Sequence, residues 1–600
     1  MGHTSVYRTL LFIFSAYLIL QLNACKQKSE EEVGLPVKII LPGLDPAKLT
    51  RLLLAKVNDT LYRPKGIYDV RFEDTLKKFY IAREGNPVWI NFIQDTGFRT
   101  QLNRCLSSVS EHGLQERFYN KSLIFSQLRE FDSLKTINAD QDYHLLTDLD
   151  YLISMSVISL YKDLSLGRID PFKFYKPFYS VPFSRAGGFN IFSVLQNPGS
   201  FHDTIIMRTP CNRRYHTLQT IWKRHLAFLN YKPAENLDTS GNIYSIKNQE
   251  IIDHRLGLFW YALDEKLPLK TDFIANRKEE YIQKTRTIFG LPPGKLDSAL
   301  VNRLCIPVEE ISDDILASLE RERWFSAPDT GTYVLVHLNE FMVYMQHDSV
   351  KSMRVCVGKA KPINFAQRYK EYLKTKNHRL RPIDSETPQI GSSVTEVILN
   401  PTWTVPNSII GKEMYSQIVS NPNYLTRKGY EVLQNGKVVS PNSINWKAFK
   451  PYGVTVKIRQ KAGPSNSLGI LKFNFPNPHN IYMHDTPEKG KFNQSNRSVS
   501  HGCIRLNYPV KMAEFLLALQ GDSALVDKFR LKMGLQPYDS SLQVADSLLK
   551  PIKETERIRL KRSIPVYLVY KTISVERNGE IRFAKDIYRK NAALAKSLRK

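Results

Sequence analysis

The chain has 600 residues, too many for one hydrophobic core, so we expect about two to four domains. Apolar residues make up 42% of the sequence and aromatic residues 11%, which excludes a chain that is disordered over most of its length. The formal net charge of +27 predicts an acidic partner, and from charge alone nucleic acid would be the first candidate.

The first 25 residues have the pattern of a secretory signal peptide, which argues against nucleic acid. Arg8 precedes an apolar run at 10–20 that is short for a membrane span, and the small residue Ala24 follows. Residues 22–25, LNAC, also resemble a bacterial lipoprotein box, in which Cys25 would become the lipidated first residue. An uncleaved anchor and plain secretion are the alternatives. In each case we expect the protein on the periplasmic side of the cell envelope, near anionic wall polymer or a membrane surface.

The next part of the chain is predicted to be a tether followed by a helical domain. Residues 26–65 are polar and contain several Pro and Gly residues, which predicts the tether, and the pattern from 66 to 245 is mainly helical. In the segment 145–171, apolar residues recur at three- and four-residue spacing, and Gly167 and Pro171 end the predicted helix. The residues of this stripe are Leu149, Leu152, Ile153 and Val157.

A second, smaller helical unit is predicted at 250–310, with an amphipathic helix, a GLPPG turn and a helix that begins near Asp297. From Tyr333 the pattern changes to short, alternating, β-branched segments, which predict an antiparallel sheet in a unit at 328–520. These segments are TYVLVHL, EFMVYMQ, SMRVCVG, TEVILNPTWTVP and GVTVKIRQ.

Two segments interrupt the predicted sheet, and one rejoins it. Residues 406–450 are more helical and polar and predict an insertion, and 365–381 predict a basic helical excursion between strands. Within 521–600, IPVYLVYKTISV and GEIRFAKDIY return to a strand pattern, so we expect the C-terminal segment to rejoin this fold. The predicted fold class is therefore multidomain α+β, mainly helical in its N-terminal half and mostly β after it.

The six cysteines do not form a disulfide framework. Apart from Cys25 there are five, an odd number at wide spacing, so at least one has to stay unpaired. Four occur where a cysteine is usually a small buried hydrophobic residue, namely Cys105, Cys211, Cys305 and Cys356. Cys503 differs, because it lies in SVSHGCIRL, close to two histidines and an arginine.

A metal site is one interpretation of this segment. His479, His484, His501 and Cys503 could supply nitrogen and sulfur ligands to zinc. Their spacing is loose, however, and no CxxC or HExxH pattern accompanies them. A second interpretation is that the histidines are purely structural.

A cysteine nucleophile accounts for more of these residues. A thiolate needs a base or a positive charge beside it, and His484 closes the strand-like run NIYMH 19 residues before Cys503. Gly502 allows a tight turn that presents backbone N–H groups beside the sulfur, as an oxyanion hole requires. Arg505 lies one strand period beyond Cys503 on the same face, where it could hold a substrate carboxylate.

The combination HD…SVSHGCIRL resembles the active-site signature of the L,D-transpeptidases, in which a histidine precedes a Ser-x-Gly-Cys-Ile/Val-Arg run. The segments VILNPTWTVPNSIIGKEM and NSLGILKFNFPNPHNIYMHDTP resemble large members of this family, which carry a substrate-capping subdomain. Upstream, KKFYIAREGNPVWI, EHGL and LSLGRIDP resemble the helical scaffold domain of these members. Residues 270–304 are similar to a degenerate peptidoglycan-binding module.

This resemblance implies a role for each candidate residue. Cys503 would be the nucleophile, and His484 the general base and later the general acid. The residues that would shape the oxyanion and substrate site are Ser500, His501, Gly502 and Arg505. Considered by themselves, Ser500 could equally be a turn hydroxyl, His501 a structural residue and Arg505 the partner of a buried carboxylate.

The implied reaction is acyl transfer on peptidoglycan stem peptides, without a metal or an organic cofactor. The cysteine would attack the carbonyl of the third stem residue, release the terminal D-alanine and pass the acyl group to a neighbouring stem, forming a 3→3 crosslink. Water as acceptor would make the same site an L,D-carboxypeptidase, and carbapenems are expected to acylate the thiolate. The alternative from another class is a non-catalytic wall-binding lipoprotein. The expected partners are stem peptides, glycan and, through the lipid anchor, a membrane, but not nucleic acid.

Overall fold

The computed structural model describes residues 41–59, 70–184, 190–210, 212–229, 246–264, 266–267, 277–304, 306–376, 381–447, 456–539, 552–576 and 579–600. The predicted signal peptide with its lipid attachment residue Cys25 lies outside these residues, as do Cys211 and Cys305. No helix in the described ranges is both long and apolar enough to cross a membrane.

The N-terminal half is helical, as the sequence predicts. Its first helices are α1 (Pro46–Asn58), α2 (Val70–Ala82), α3 (Thr96–Ser107), α4 (Lys121–Ser133), α5 (Asp140–Leu166), α6 (Pro171–Phe174), α7 (Ser193–Gln196) and α8 (Phe201–Arg208). All of them except α6 contribute to one hydrophobic cluster. The predicted stripe on α5 is buried in that cluster, and the helix ends at Gly167, whose φ of +85° favours glycine.

The prediction that 26–65 is a tether is wrong for part of that segment. Residues 46–58 form α1, whose inward face packs into the N-terminal cluster through Leu49, Leu53 and Val57. Asp45 accepts a hydrogen bond from the Ala47 N–H and caps the helix, and Pro46 occupies its first turn, where a missing N–H does no harm. The proline that suggested a flexible tether is therefore a helix start.

The second helical unit has its own small core. The helices that follow α8 are α9 (Arg213–Leu229), α10 (Ile246–Leu263), α11 (Lys278–Ile288) and α12 (Ser298–Leu304). The last three share a hydrophobic cluster that is separate from that of the N-terminal helices. The helix predicted to begin near Asp297 begins at Ser298, and the Asp297 carboxylate accepts a hydrogen bond from the Leu300 N–H.

One helix, α13 (Val308–Trp324), holds the helical half against the β-rich half. Glu320 and Arg323 form an ion pair at 2.7 Å, with both side chains fully buried. Glu320 also accepts the Ile169 N–H at 2.7 Å, and Arg323 donates to the His112 carbonyl at 2.9 Å. Another part of α13 packs on the C-terminal helix, Asn591–Arg599. Because a buried charge is tolerated only when it is paired, this pair fixes the EHGL and LSLGRIDP segments in place.

The β-rich half contains a mixed ten-stranded sheet, not the purely antiparallel sheet that the sequence pattern suggested. Its strands are β1 (Tyr179–Ser180), β2 (Tyr333–His337), β3 (Met342–Gln346), β4 (Val350–Gly358), β5 (Gln389–Leu399), β10 (Leu471–Asn474), β11 (Met483–His484), β12 (Ser498–Ser500), β13 (Ile504–Leu506) and β14 (Glu556–Val569). Strand β14 pairs with both β2 and β5, so the order of strands closes on itself. Four pairs are parallel, including β11 with β13, because local alternation does not specify strand direction.

The insertion has a sheet of its own. This four-stranded sheet consists of β6 (Trp403–Thr404), β7 (Tyr430–Gln434), β8 (Lys437–Val439) and β9 (Val456–Gln460). Its helices are α15 (Asn407–Ile409), α16 (Tyr415–Ser420) and α17 (Asn423–Arg427), with a π-helical turn at Ile410–Met414. The prediction that GVTVKIRQ and the TWT segment belong to the main sheet is wrong, because they pair with each other at the base of the insertion. Alternation is the same in either sheet, so it could not assign them.

The remaining elements lie around the main sheet. The basic excursion forms α14 (Phe365–Thr375), which has no buried residue. Helices α18 (Pro509–Ala518) and α19 (Ala524–Lys532) follow β13, and the chain ends with α20 (Asn591–Arg599). Of the two C-terminal strand patterns, IPVYLV lies in β14 of the main sheet, whereas β15 (Ile573–Val575) and β16 (Ile581–Phe583) form a separate hairpin.

Candidate active site

One row of residues crosses the main sheet at the candidate site. Lys472 on β10 pairs with His484 on β11, His484 pairs with Arg505 on β13, and Arg505 pairs with Cys356 on β4. Residues that are opposite each other on paired strands share a face of the sheet, so the four side chains leave the same face. Cys503 comes immediately before β13, two residues from Arg505, and is partly exposed. The structure therefore brings Cys503 and His484 to neighbouring strands, as the sequence predicts.

The turn before Cys503 is held by hydrogen bonds to Ser500. The Ser500 hydroxyl donates to the Cys503 carbonyl at 2.6 Å and accepts the Gly502 N–H at 3.1 Å. Thr387 donates to the Gly502 carbonyl at 2.8 Å. Gly502 has φ +115°, and a Cβ there would lie 3.1 Å from the Ile481 side chain, so glycine is required.

These contacts decide between two interpretations of this turn. The geometry supports the turn-hydroxyl interpretation of Ser500, because both of its hydrogen bonds go to backbone groups of the turn. The Gly502 N–H is donated to Ser500 in this structure, and the oxyanion role of the turn stays a prediction. The sequence shows that a tight turn is present but not which of its N–H groups is engaged.

Cys503 carries an un-ionised thiol in the resting site. Its sulfur contacts the Asn480 carbonyl at 3.9 Å, and both the hydroxyl and the backbone N–H of Tyr482 donate to it. Burial raises the pKa of the Cys503 thiol to about 11, and Tyr482, Lys472 and Arg505 act in the opposite direction. The thiol therefore needs a proton acceptor before it can react near neutral pH.

His484 is a neutral base in this environment. It is 5% exposed, and its Nδ1 lies 2.5 Å from the Asp485 carbonyl oxygen. A carbonyl oxygen can only accept, so Nδ1 carries the hydrogen and Nε2 has the free lone pair. Burial, together with the positive charges of Arg505 and Lys472, lowers the pKa of His484 to about 3. An imidazole of this kind can accept a thiol proton at any pH well above 3.

His501 and Arg505 both contact carboxylates. His501 Nε2 lies 2.5 Å from Glu413 Oε1 in the insertion, and Arg505 Nη1 lies 2.5 Å from Glu488 Oε2. The Arg505 guanidinium is therefore already paired in the resting site, although Glu488 is a mainly exposed partner. His501 connects the turn of Cys503 to the insertion, a role that sequence alone could not assign.

Sequence reasoning missed Tyr482 and Lys472. The Lys472 Nζ lies 4.0 Å from the centre of the Tyr482 ring, and that ring packs edge-on against His484 at 5.6 Å. Tyr482 could have been found, because it lies two residues before His484 and so shares its face. Lys472 could not, because only the pairing of β10 with β11 places it opposite His484.

The zinc interpretation and the other cysteines can also be assessed. Among the residues that the structure describes, no three His, Cys, Asp or Glu side chains are grouped so as to hold a metal ion, and all four proposed ligands are within those residues. Cys105 and Cys356 are free and buried, and burial raises the pKa of their thiols to about 12 and about 11. Both fit the prediction of small buried hydrophobic residues.

Comparison with known proteins agrees with this architecture. Residues 331–527 match the L,D-transpeptidase catalytic domain (YkuD), and residues 74–220 match the scaffold domain. A Haemophilus influenzae protein named "Putative L,D-transpeptidase" is 34% identical over 326 residues, which are 53% of this chain and 54% of that protein. The chain thus spans about half the length of this curated relative.

Residues 331–527 are therefore similar to an L,D-transpeptidase catalytic domain and residues 74–220 to a scaffold domain, which confirms the resemblance inferred from the sequence. The α+β multidomain fold class is confirmed as well. Cys503 and His484 both lie inside the part of the chain that matches the catalytic domain.

Proposed function

We propose that this protein is an L,D-transpeptidase that forms 3→3 crosslinks between peptidoglycan stem peptides, with Cys503 as nucleophile and His484 as general base. The observation that carries the proposal is the placement of His484 beside Cys503. The strand of His484 pairs with β13, which begins directly after Cys503, and Nδ1 of His484 is bonded to a carbonyl, which leaves Nε2 as a proton acceptor. The family match of residues 331–527 supports the reaction class.

The reaction proceeds in two acyl transfers. The thiol first leaves the Asn480 carbonyl and gives its proton to Nε2 of His484, and the sulfur then attacks the carbonyl carbon of the third stem residue. The C–N bond to the terminal D-alanine breaks, His484 returns the proton to the leaving amine, and a thioester remains on Cys503. The amine of a neighbouring stem then attacks the thioester and loses its proton to His484. The C–S bond breaks, and His484 passes the proton to the departing sulfur, which restores the thiol.

Product analysis tests this proposal. Purified protein is incubated with a disaccharide-tetrapeptide, and mass spectrometry is used to look for a dimer that has lost one D-alanine. A 3→3-linked dimer supports transpeptidation. Loss of D-alanine without a dimer would mean an L,D-carboxypeptidase, and an unchanged substrate would favour a wall-binding lipoprotein without activity.

The insertion is proposed to be a lid over the substrate. Glu413 contacts His501 beside Cys503, and the Trp403 indole donates to the Tyr482 hydroxyl. Lys412, next to Glu413, donates to the Arg381 carbonyl of the excursion that contains α14. The insertion therefore contacts the active-site turn and its surroundings at several points, as a closing element would.

Removing the lid is expected to affect large substrates most. Thr404 and Arg459 are paired across the base of the insertion, so residues 405–458 can be replaced by a two-residue turn. We expect turnover of the tetrapeptide to fall more than acylation by a small carbapenem, because chemistry at Cys503 is retained while substrate capture is lost. Glu413→Gln serves as a matched variant that weakens only the contact with His501. Equal losses for both ligands would contradict the assignment of a lid.

We also propose that the chain is a lipoprotein on the periplasmic side of the cell envelope, anchored through Cys25. The support is the LNAC segment after the apolar run. Cells that express the wild-type protein should incorporate a fatty-acid analogue into it, and the Cys25→Ala variant should not. Wild-type protein without label would refute the lipid anchor, whereas carbapenem acylation of Cys25→Ala controls for folding.

A further inference from the structure

We propose that Lys472 is the positive charge that stabilises the Cys503 thiolate during acylation, acting together with the Tyr482 hydroxyl. This inference deepens the proposed function and rests on it for the identity of the nucleophile.

The placement of Lys472 follows from strand pairing. It lies directly opposite His484, on the same face of the sheet as Arg505, and its charge acts on the Cys503 thiol. Its ammonium group is 4.0 Å from the centre of the Tyr482 ring, within the range of a cation–π contact. The hydroxyl of the same tyrosine donates to the Cys503 sulfur. Lysine, phenol and thiol are therefore arranged in one connected group.

Lys472 has no competing carboxylate. In the described ranges of the chain, no carboxylate oxygen lies within 4.0 Å of its Nζ. Glu396 on β5 is the carboxylate that raises the pKa of Lys472, but that side chain is paired with Arg557 at 3.2 Å. The positive charge of Lys472 can therefore act on the Cys503 sulfur. Lys472 is half-buried, and water screens the interaction between partly buried charges only weakly.

The other charged groups near the thiol contribute less than Lys472. His484 is neutral until it accepts the proton, and Arg505, which lowers the pKa of the thiol less than Lys472 does, is bound to Glu488. Burial lowers the pKa of Lys472, and Arg557 lowers it too, while the neighbouring Cys503 and Glu396 raise it. The groups that lower the pKa of the thiol are therefore Tyr482, Lys472 and Arg505, and of the two cations Lys472 has no carboxylate partner among the described residues.

The test measures ionisation of Cys503 directly and needs no peptidoglycan. The rate of alkylation by iodoacetamide is followed against pH, and mass spectrometry of the Cys503 peptide separates it from the other cysteines. We expect Lys472→Met, which keeps the apolar stem and removes the charge, to slow alkylation near pH 8 by about threefold to tenfold, since one pKa unit is a tenfold change in thiolate. Lys472→Arg should restore most of the rate. Lys457→Met, an exposed strand lysine in the insertion, should change nothing.

An unchanged pH profile in Lys472→Met, or a failure of Lys472→Arg to recover the rate, would overturn the proposal. If Lys472→Met does not fold by circular dichroism, Lys472→Gln replaces it and the same criteria apply. The two proposals can fail separately. If alkylation of Cys503 depends on Lys472 but the protein does not link stem peptides, the proposed function is refuted and this inference stands. The reverse result, crosslinking by a protein whose thiolate is indifferent to Lys472, would refute only the inference.

Discussion

A Cys503→Ala variant should form no acyl-enzyme with a carbapenem, whereas the wild-type protein should gain the mass of one inhibitor molecule. Alanine has no atom that can carry the acyl group. Cys503→Ser should fail almost as completely, because a hydroxyl ionises far less readily than a thiol and His484 is a weak base with a pKa of about 3. The measurement is the intact mass after treatment, followed by peptide mapping of the adduct.

The matched controls are the two other cysteines that the structure describes. Cys105→Ala and Cys356→Ala each remove a buried thiol, so both should keep full acylation as long as they fold. Cys356 is the sharper control, since it pairs with Arg505 in the same row of the sheet. An adduct on either cysteine, or acylation of Cys503→Ala, would show that Cys503 is not the nucleophile.

Replacing the base should leave the nucleophile but slow it. His484→Ala is expected to reduce the acylation rate by roughly 10²–10⁴, the usual contribution of general acid–base assistance. His479→Ala is the matched control, because its ring stacks on Phe178 at 5.8 Å and lies outside the row of Lys472, His484 and Arg505. This control should acylate at the wild-type rate. Equal losses in the two variants would point to a structural role for His484.

The pH dependence of the wild-type rate tests the protonation states. His484 accepts a proton only when neutral, so its contribution is lost as the pH falls through its pKa of about 3. The Cys503 thiol stays protonated until the pH approaches its pKa of about 11. The acylation rate should therefore be nearly constant between about pH 5 and pH 9. A rate that falls on acidification between about pH 7 and pH 6 would mean that His484 titrates near its ordinary pKa.

Local patterns predicted most of the elements but not their partners. The sequence predicted the buried face of α5 correctly, because apolar residues at helical spacing lie on the face of the helix that packs into the core. These residues are Leu149, Leu152, Ile153 and Val157. The GVTVKIRQ strand was placed in the wrong sheet, because alternation is identical in the main sheet and in the insertion. The α1 helix was missed, because a proline in the sequence can indicate either a flexible tether or the first turn of a helix, and Pro46 is in the first turn of α1.

At the candidate site, too, the sequence predicted individual residues but not the groups that they contact. The segment 481–506 predicted Cys503 and His484 as nucleophile and base, because a thiol and an imidazole at neighbouring strand ends favour this chemistry over a metal site. The partners of Ser500 and Arg505 were left open, since a hydroxyl or a guanidinium in sequence does not reveal whether it bonds to backbone, substrate or a carboxylate. Lys472 lies 31 residues from Cys503 and becomes visible only when β10, β11 and β13 are paired.

The most direct test of the account is to trap the acyl-enzyme formed from a natural stem peptide. The protein is mixed with a slight excess of disaccharide-tetrapeptide and quenched in acid, and its intact mass is measured before and after digestion. We expect a gain in mass equal to the substrate minus D-alanine, carried by the peptide that contains Cys503 and absent from Cys503→Ala. Release of D-alanine with the adduct on another residue, or by the Cys503→Ala variant, would contradict it.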